Sequence, residues 1–67
     1  MRPGDPVRTV DWGVGPLWAR VWRLPEDEPG CIDLVITGGP EGPVRAVKSS
    51  VVVVSEEEFL VGEVMSS

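Results

Sequence analysis

Apolar and polar residues alternate most cleanly in two stretches, Leu17-Trp18-Ala19-Arg20-Val21-Trp22-Arg23-Leu24 and Cys31-Ile32-Asp33-Leu34-Val35-Ile36-Thr37. A period of two is the spacing of a β-strand, whose successive side chains point to opposite faces. In the first stretch Leu17, Ala19, Val21 and Arg23 share one face, and Trp18, Arg20, Trp22 and Leu24 share the other. A lone buried charge costs several kcal/mol, so Arg20 argues against burying its row. The small aliphatics are therefore expected inside and the Trp-Arg-Trp row at the surface or in a groove. The alternative is a bulge or a barrel end that lets Arg20 reach solvent while one indole joins the core. In the second stretch Ile32, Leu34 and Ile36 form the buried face, and Cys31, Asp33, Val35 and Thr37 a face at least half wet.

The remaining elements are shorter. Pro6 to Val10 reads as a first strand at a sheet edge, because Pro6 cannot donate to a ladder. Asp11 to Pro16 is a tight loop with Trp12 at its tip, placed either as a lid over a barrel end or as a ligand contact; Gly13 and Gly15 can take positive φ there. Pro25 to Gly30 is a solvated loop, and Gly38 to Gly42 a turn. Pro43 to Lys48 reads as a fourth strand, Ser49 and Ser50 as a 3₁₀-like break, and Val51 to Val54 as a short strand covered on both sides. Ser55-Glu56-Glu57-Glu58 has the form of a helix capping box. It predicts about one turn from Glu56 to Val61, docking Phe59 and Leu60, with 62–67 frayed. Short strands at this spacing, joined by glycine and proline turns, predict an all-β fold. The expected architecture is one domain over 1–67, with its core at about 4–61. It is a five-stranded SH3-like (Tudor/KOW-like) small barrel with a short 3₁₀ or helical turn near the C-terminus. A five-stranded oligonucleotide-binding barrel usually needs a helix between strands three and four, for which the chain has no room.

Composition narrows the chemistry. A chain of 67 residues buries only about 60% of its unfolded surface, so stability is expected to be modest. With one cysteine and no histidine, neither an intramolecular disulfide nor a zinc site is expected, and Cys31 reads as a small buried hydrophobe. No membrane-length apolar run or signal-peptide pattern is present, which makes a cytoplasmic protein the expectation. The net charge of −5 is uneven. Residues 1–24 carry four arginines against Asp5 and Asp11, whereas Glu26 to Glu28 and Glu56 to Glu58 form acidic runs. The basic footprint of a nucleic-acid binder is missing at the level of net charge. Catalysis is not expected either, since the only thiol has no visible activating partner and a barrel this small is filled by its own side chains. No cofactor is implied.

Gly4-Asp5-Pro6-Val7 followed by Gly13-Val14-Gly15 resembles, in residue type and spacing, the Gly-Asp-x-Val then Gly-Val-Gly signature of one branch of these barrels. That signature opens the Tudor-like RNA-polymerase-interacting domain of CarD-type transcription factors and of transcription-repair coupling factor. The C-terminal barrel of UvrD-type helicases and the KOW modules open similarly. The match spans about twelve residues. It departs from the CarD branch at Thr9, Val10, Asp11 and Trp12, where that branch usually carries an aromatic residue and a histidine. The resemblance implies a protein-binding barrel that docks on RNA polymerase by adding a strand to a sheet edge, and it does not imply DNA binding.

Three functions are weighed on this basis. The first is a protein-protein interaction module, a small regulator acting on the transcription machinery, with Trp12, Trp18, Arg20 and Trp22 as the partner-binding residues; tryptophan and arginine are enriched at binding hot spots. The second is a nucleic-acid-binding KOW-like barrel using aromatic stacking with Arg8, Arg20, Arg23 and Arg45. The third is a self-assembling structural or accessory protein whose apolar patch is covered by a second copy.

Overall fold

The structure, a computed structural model, describes residues 1–10, 13 and 15–66, with Ser66 described in its backbone only. Five strands form one antiparallel sheet: β1 (Pro6–Thr9), β2 (Trp18–Arg23), β3 (Cys31–Ile36), β4 (Val44–Val47) and β5 (Val51–Val53). A 3₁₀ turn, Lys48–Ser50, joins β4 to β5, and an α-helix, α1 (Glu56–Ser66), follows. The strand order is β4-β3-β2-β1-β5. β4 and β5 are its two edges and do not pair with each other, so the sheet is open.

The inner face is the one expected. Val7, Ala19, Val21, Ile32, Leu34, Ile36, Ala46 and Val51 pack into a single apolar cluster. Thr9 is buried among them, its hydroxyl oxygen accepting the Leu17 N–H at 2.9 Å. Positive φ occurs at Gly13 and Gly15, where the loop pattern allowed it, and at Gly4 (φ 93°). There the chain turns so that the Asp5 carboxylate accepts the Arg2 N–H and the Gly4 N–H reaches the Val21 carbonyl. The opening Gly-Asp pair thus has a turn to make.

Four expectations are corrected. β1 is not an edge: it lies between β2 and β5. Pro6 is tolerated because it is the first residue of the strand and still accepts the Val54 N–H at 3.0 Å. β5 is itself an edge strand, with Val52 and Val53 both exposed rather than covered. In β2 the register slips between Val21, opposite Leu34, and Arg23, opposite Asp33. This bulge at Trp22 turns Arg23 onto the outer face and lets Leu24 pack on the core, reversing the faces assigned to them by strict alternation. Finally, α1 runs for 11 residues instead of one turn. Its start is as expected, with the Ser55 hydroxyl accepting the Glu58 N–H at 3.1 Å and three glutamates in the first turn.

Candidate functional site

The outer face of β2 carries the Trp18-Arg20-Trp22 row, and α1 is laid across part of it. Phe59, on the sheet-facing side of the helix, is 2% exposed. Its ring meets Trp18 edge to face, with centroids 6.4 Å apart and planes at 77°. One helical turn further on, Gly62 is buried directly against the Trp18 indole. Arg20 lies between the two layers. Its guanidinium carbon sits 4.5 Å from the centre of the Phe59 ring. Its Nη2 donates to Glu56 Oε1 at 2.8 Å, and its Nη1 to Glu56 Oε2 and the Gly4 carbonyl, each at 3.0 Å. A bidentate pair of this kind has fixed geometry as well as charge. The hydrogen bonds from Arg20 hold the Glu56 carboxyl below its ordinary pKa, and the same pair raises the Arg20 guanidinium, to which Glu63 also contributes. The charge that kept this row out of the core is satisfied by the chain's own helix.

Trp22 lies apart from that contact. The bulge projects it outward, 50% exposed, with the Arg23 guanidinium carbon 5.4 Å from its ring centre. Beside it, between α1 and β3, runs a cleft of about 340 Å³. Trp22, Val35 and Phe59 supply its apolar walls, and Arg20, Thr37 and Glu63 its polar groups. Thr37 donates to Glu63 at 3.1 Å and so ties the far end of the helix to the sheet. Val35 is 40% exposed, directly opposite Arg20 in the β2–β3 register.

Of the four residues expected to bind a partner, three therefore share one face, in different states. Trp18 is half-buried beneath α1, Arg20 is engaged with Glu56 and Phe59, and Trp22 is open to solvent. Trp12 lies outside the described residues. Val35, Phe59 and Glu63 complete the cleft without having been singled out from the sequence for it. Val35 was legible as an outward position of β3, and Phe59 docks on the sheet as the capping signal led one to expect, although Leu60, expected to dock beside it, is exposed. Only Glu63 depends on a helix longer than that signal announced.

A second polar cluster crosses the outer face of β2, β3 and β4. Asp33, 5% exposed, accepts from Arg45 Nε at 3.0 Å and from Arg23 Nε at 3.2 Å. Arg45 also donates to Glu28 at 2.8 Å. Arg45 first, then Arg23, hold the Asp33 carboxyl below its ordinary range despite its burial. Cys31 is half-buried rather than buried. Its thiol lies 3.4 Å from Glu28 Oε2, and donating to that carboxylate raises its pKa, the reverse of the activation a nucleophilic thiolate needs.

These depressed carboxyls set an acid limb. A carboxyl whose folded pKa lies below its unfolded value of about 3.9 stabilises the fold fully above that value and stops doing so as pH falls through the folded pKa. The melting temperature is expected to hold through neutral pH and to drop below about pH 5. Asp33→Asn should melt lower than wild type at pH 7 and show a shallower acid limb. Melting curves for the two proteins that run parallel below pH 5 would remove Asp33 from this account.

The described residues include no helix long and apolar enough to cross a membrane, and no group of three or more acidic or cysteine side chains placed to hold a metal ion. No protein-family model, curated protein or solved structure matches the chain.

Proposed function

We propose that this protein is a non-enzymatic protein-interaction module of SH3-like plan that seats an apolar side chain of a partner segment in the cleft between α1 and β3. The strand order, with a 3₁₀ turn between the last two strands, supports the SH3-like reading. The observation that carries the function is Trp22. A bulge holds an indole half out of the fold, beside exposed Val35, at the mouth of a cleft floored by Phe59. Large aromatics at the centre of an apolar pocket are where binding energy concentrates. The floor and one polar wall are rigidly supported, since Phe59 is buried and Arg20 is held at three points, so these groups add little ordering cost on binding. The resemblance of the opening Gly-Asp-x-Val and Gly-Val-Gly motifs makes RNA polymerase the first partner to test.

Nucleic acid is the weaker reading. Arg20, Arg23 and Arg45, three of the cations it would use, are each paired with a carboxylate, and the chain as a whole is acidic. Phosphate binding would have to break those pairs. Catalysis finds no support in Cys31, whose thiol is held protonated beside Glu28.

The test compares wild type with Trp22→Ala for capture of purified RNA polymerase. Trp22 is a surface residue, so the variant should melt within a few degrees of wild type while affinity falls by about tenfold or more. Equal affinity of the two proteins for the polymerase would dismiss Trp22 as the contact, and binding by neither would dismiss the polymerase as the partner. Binding to single-stranded nucleic acid that weakens steeply with added salt would favour the other class.

A further inference from the structure

The two edges of the sheet are treated differently by the sequence. β4 is preceded by Pro43 and carries Arg45 on its outer side, residue types that discourage edge-to-edge pairing. β5 has no such protection: from Ser49 to Ser55 there is neither a charge nor a proline. Val52 is 44% exposed and Val53 47%, on opposite faces of the strand.

The direction of the free backbone groups follows from the ladder with β1. The Val54 N–H donates to Pro6, and the Val10 N–H to Ser50, so positions 50, 52 and 54 direct their backbone groups toward β1. By the alternation of an antiparallel ladder, Val53, opposite Val7, directs its N–H and C=O away from the sheet. An edge residue so placed can exchange both hydrogen bonds with an identical residue across a two-fold axis.

The charges at the ends of β5 decide what fits. Lys48, the single lysine of the chain, stands exposed just before it, and Glu57 and Glu58 stand exposed just after it in the first turn of α1. Glu56 is already taken by Arg20. A second β5 laid antiparallel, with Val53 facing Val53, places Val52 of each copy opposite Val54 of the other. It also brings the Lys48 end of each copy to the Glu57-Glu58 end of the other. A parallel arrangement would set like charges together, which is unfavourable. We propose that β5 is a self-association edge, through which two copies of this chain form an isologous dimer with one continuous ten-stranded sheet. The contact is a short strand with few side chains, below the roughly 1,200 Å² at which stable interfaces begin. The dimer is therefore weak and reversible, and it leaves the Trp22 cleft on the other flank of the sheet free.

Sedimentation equilibrium from about ten micromolar to one millimolar, concentrations spanning weak association, tests this on the full chain. The average mass of wild type should climb from 7.2 kDa toward twice that value. Lys48→Glu and the double variant Glu57→Lys/Glu58→Lys should each remain monomeric, and an equimolar mixture of the two should associate again, since mixing restores both charge contacts. Val53→Pro, which removes an N–H that points out of the sheet, should also abolish association. A wild type that stays monomeric throughout overturns the proposal. So does association that survives Val53→Pro, or a mixture of the charge variants that fails to recover it.

Discussion

Phe59→Ala is expected to strip α1 from the sheet. Phe59 is not part of the inner apolar cluster; it builds a second, smaller layer on the outer face with Trp18 and the Arg20 guanidinium. Removing a buried phenylalanine costs about 3–5 kcal/mol, whereas a chain of 67 residues has roughly 3–10 kcal/mol of total stability. Once undocked, α1 has little to keep it helical. Eleven residues are marginal for an isolated helix, and this one contains Gly62 as well as the β-branched Val61 and Val64. The expected result is loss of helical circular dichroism, a Trp18 newly accessible to acrylamide, and a fall in melting temperature on the order of 12 °C or more. Because the inner cluster does not include Phe59, strand signals should outlast the helix on heating. A variant that keeps wild-type helicity and melts within about 3 °C of wild type would show that Phe59 does not anchor α1.

The legible part of this structure is the part governed by period two. Alternation was enough to turn Ala19, Val21, Ile32, Leu34 and Ile36 inward and Arg20 and Trp22 outward, because one charged or bulky residue on a face settles the whole face. What alternation cannot carry is a change of phase. The bulge at Trp22 is signalled only indirectly, by an arginine at position 23 that would otherwise have pointed into the core, where its partner Asp33 could not have met it. Nor can local pattern reveal the Arg20–Glu56 pair, whose members are 36 positions apart. The four valines from Val51 failed as a guide for a different reason. Continuous apolar runs suit a strand covered on both faces, but here the run lies at an unprotected edge.

The helix is the largest difference, and Gly62 explains it. The turn expected from the capping box ended at Val61, just before Gly62, and a glycine near the end of a helical pattern has the form of a stop. In the structure Gly62 is well inside α1 because the Trp18 indole occupies the space a Cβ would need. The residue that looks like a terminator is what permits the helix to approach the sheet closely. The outward side of the helix, with Leu60 and Val61 more than half exposed, adds to the ambiguity by blurring the polar side an amphipathic helix normally shows.

Gly62→Ala separates those two roles by the sign of its effect. In an exposed helix interior, replacing glycine with alanine stabilises by about 0.8–1.0 kcal/mol. At position 62 the new methyl group would collide with the indole. Trp18 is a poor candidate to yield, because Phe59 meets one side of it and the sheet lies beneath. The helix would have to lift or the indole leave its rotamer, an overpacking cost of about 1–3 kcal/mol that outweighs the gain in propensity. Lifting would also strain the Arg20–Glu56 pair, since Glu56 and Gly62 belong to the same rigid rod. The expected outcome is a melting temperature below wild type with a perturbed Trp18 emission. Val61→Ala provides the control. That side chain is 58% exposed, and alanine is the better helix former, so the variant next door should melt at or slightly above wild type. If both substitutions raise the melting temperature, the indole does not press on position 62, and the close approach of α1 to β2 has another cause.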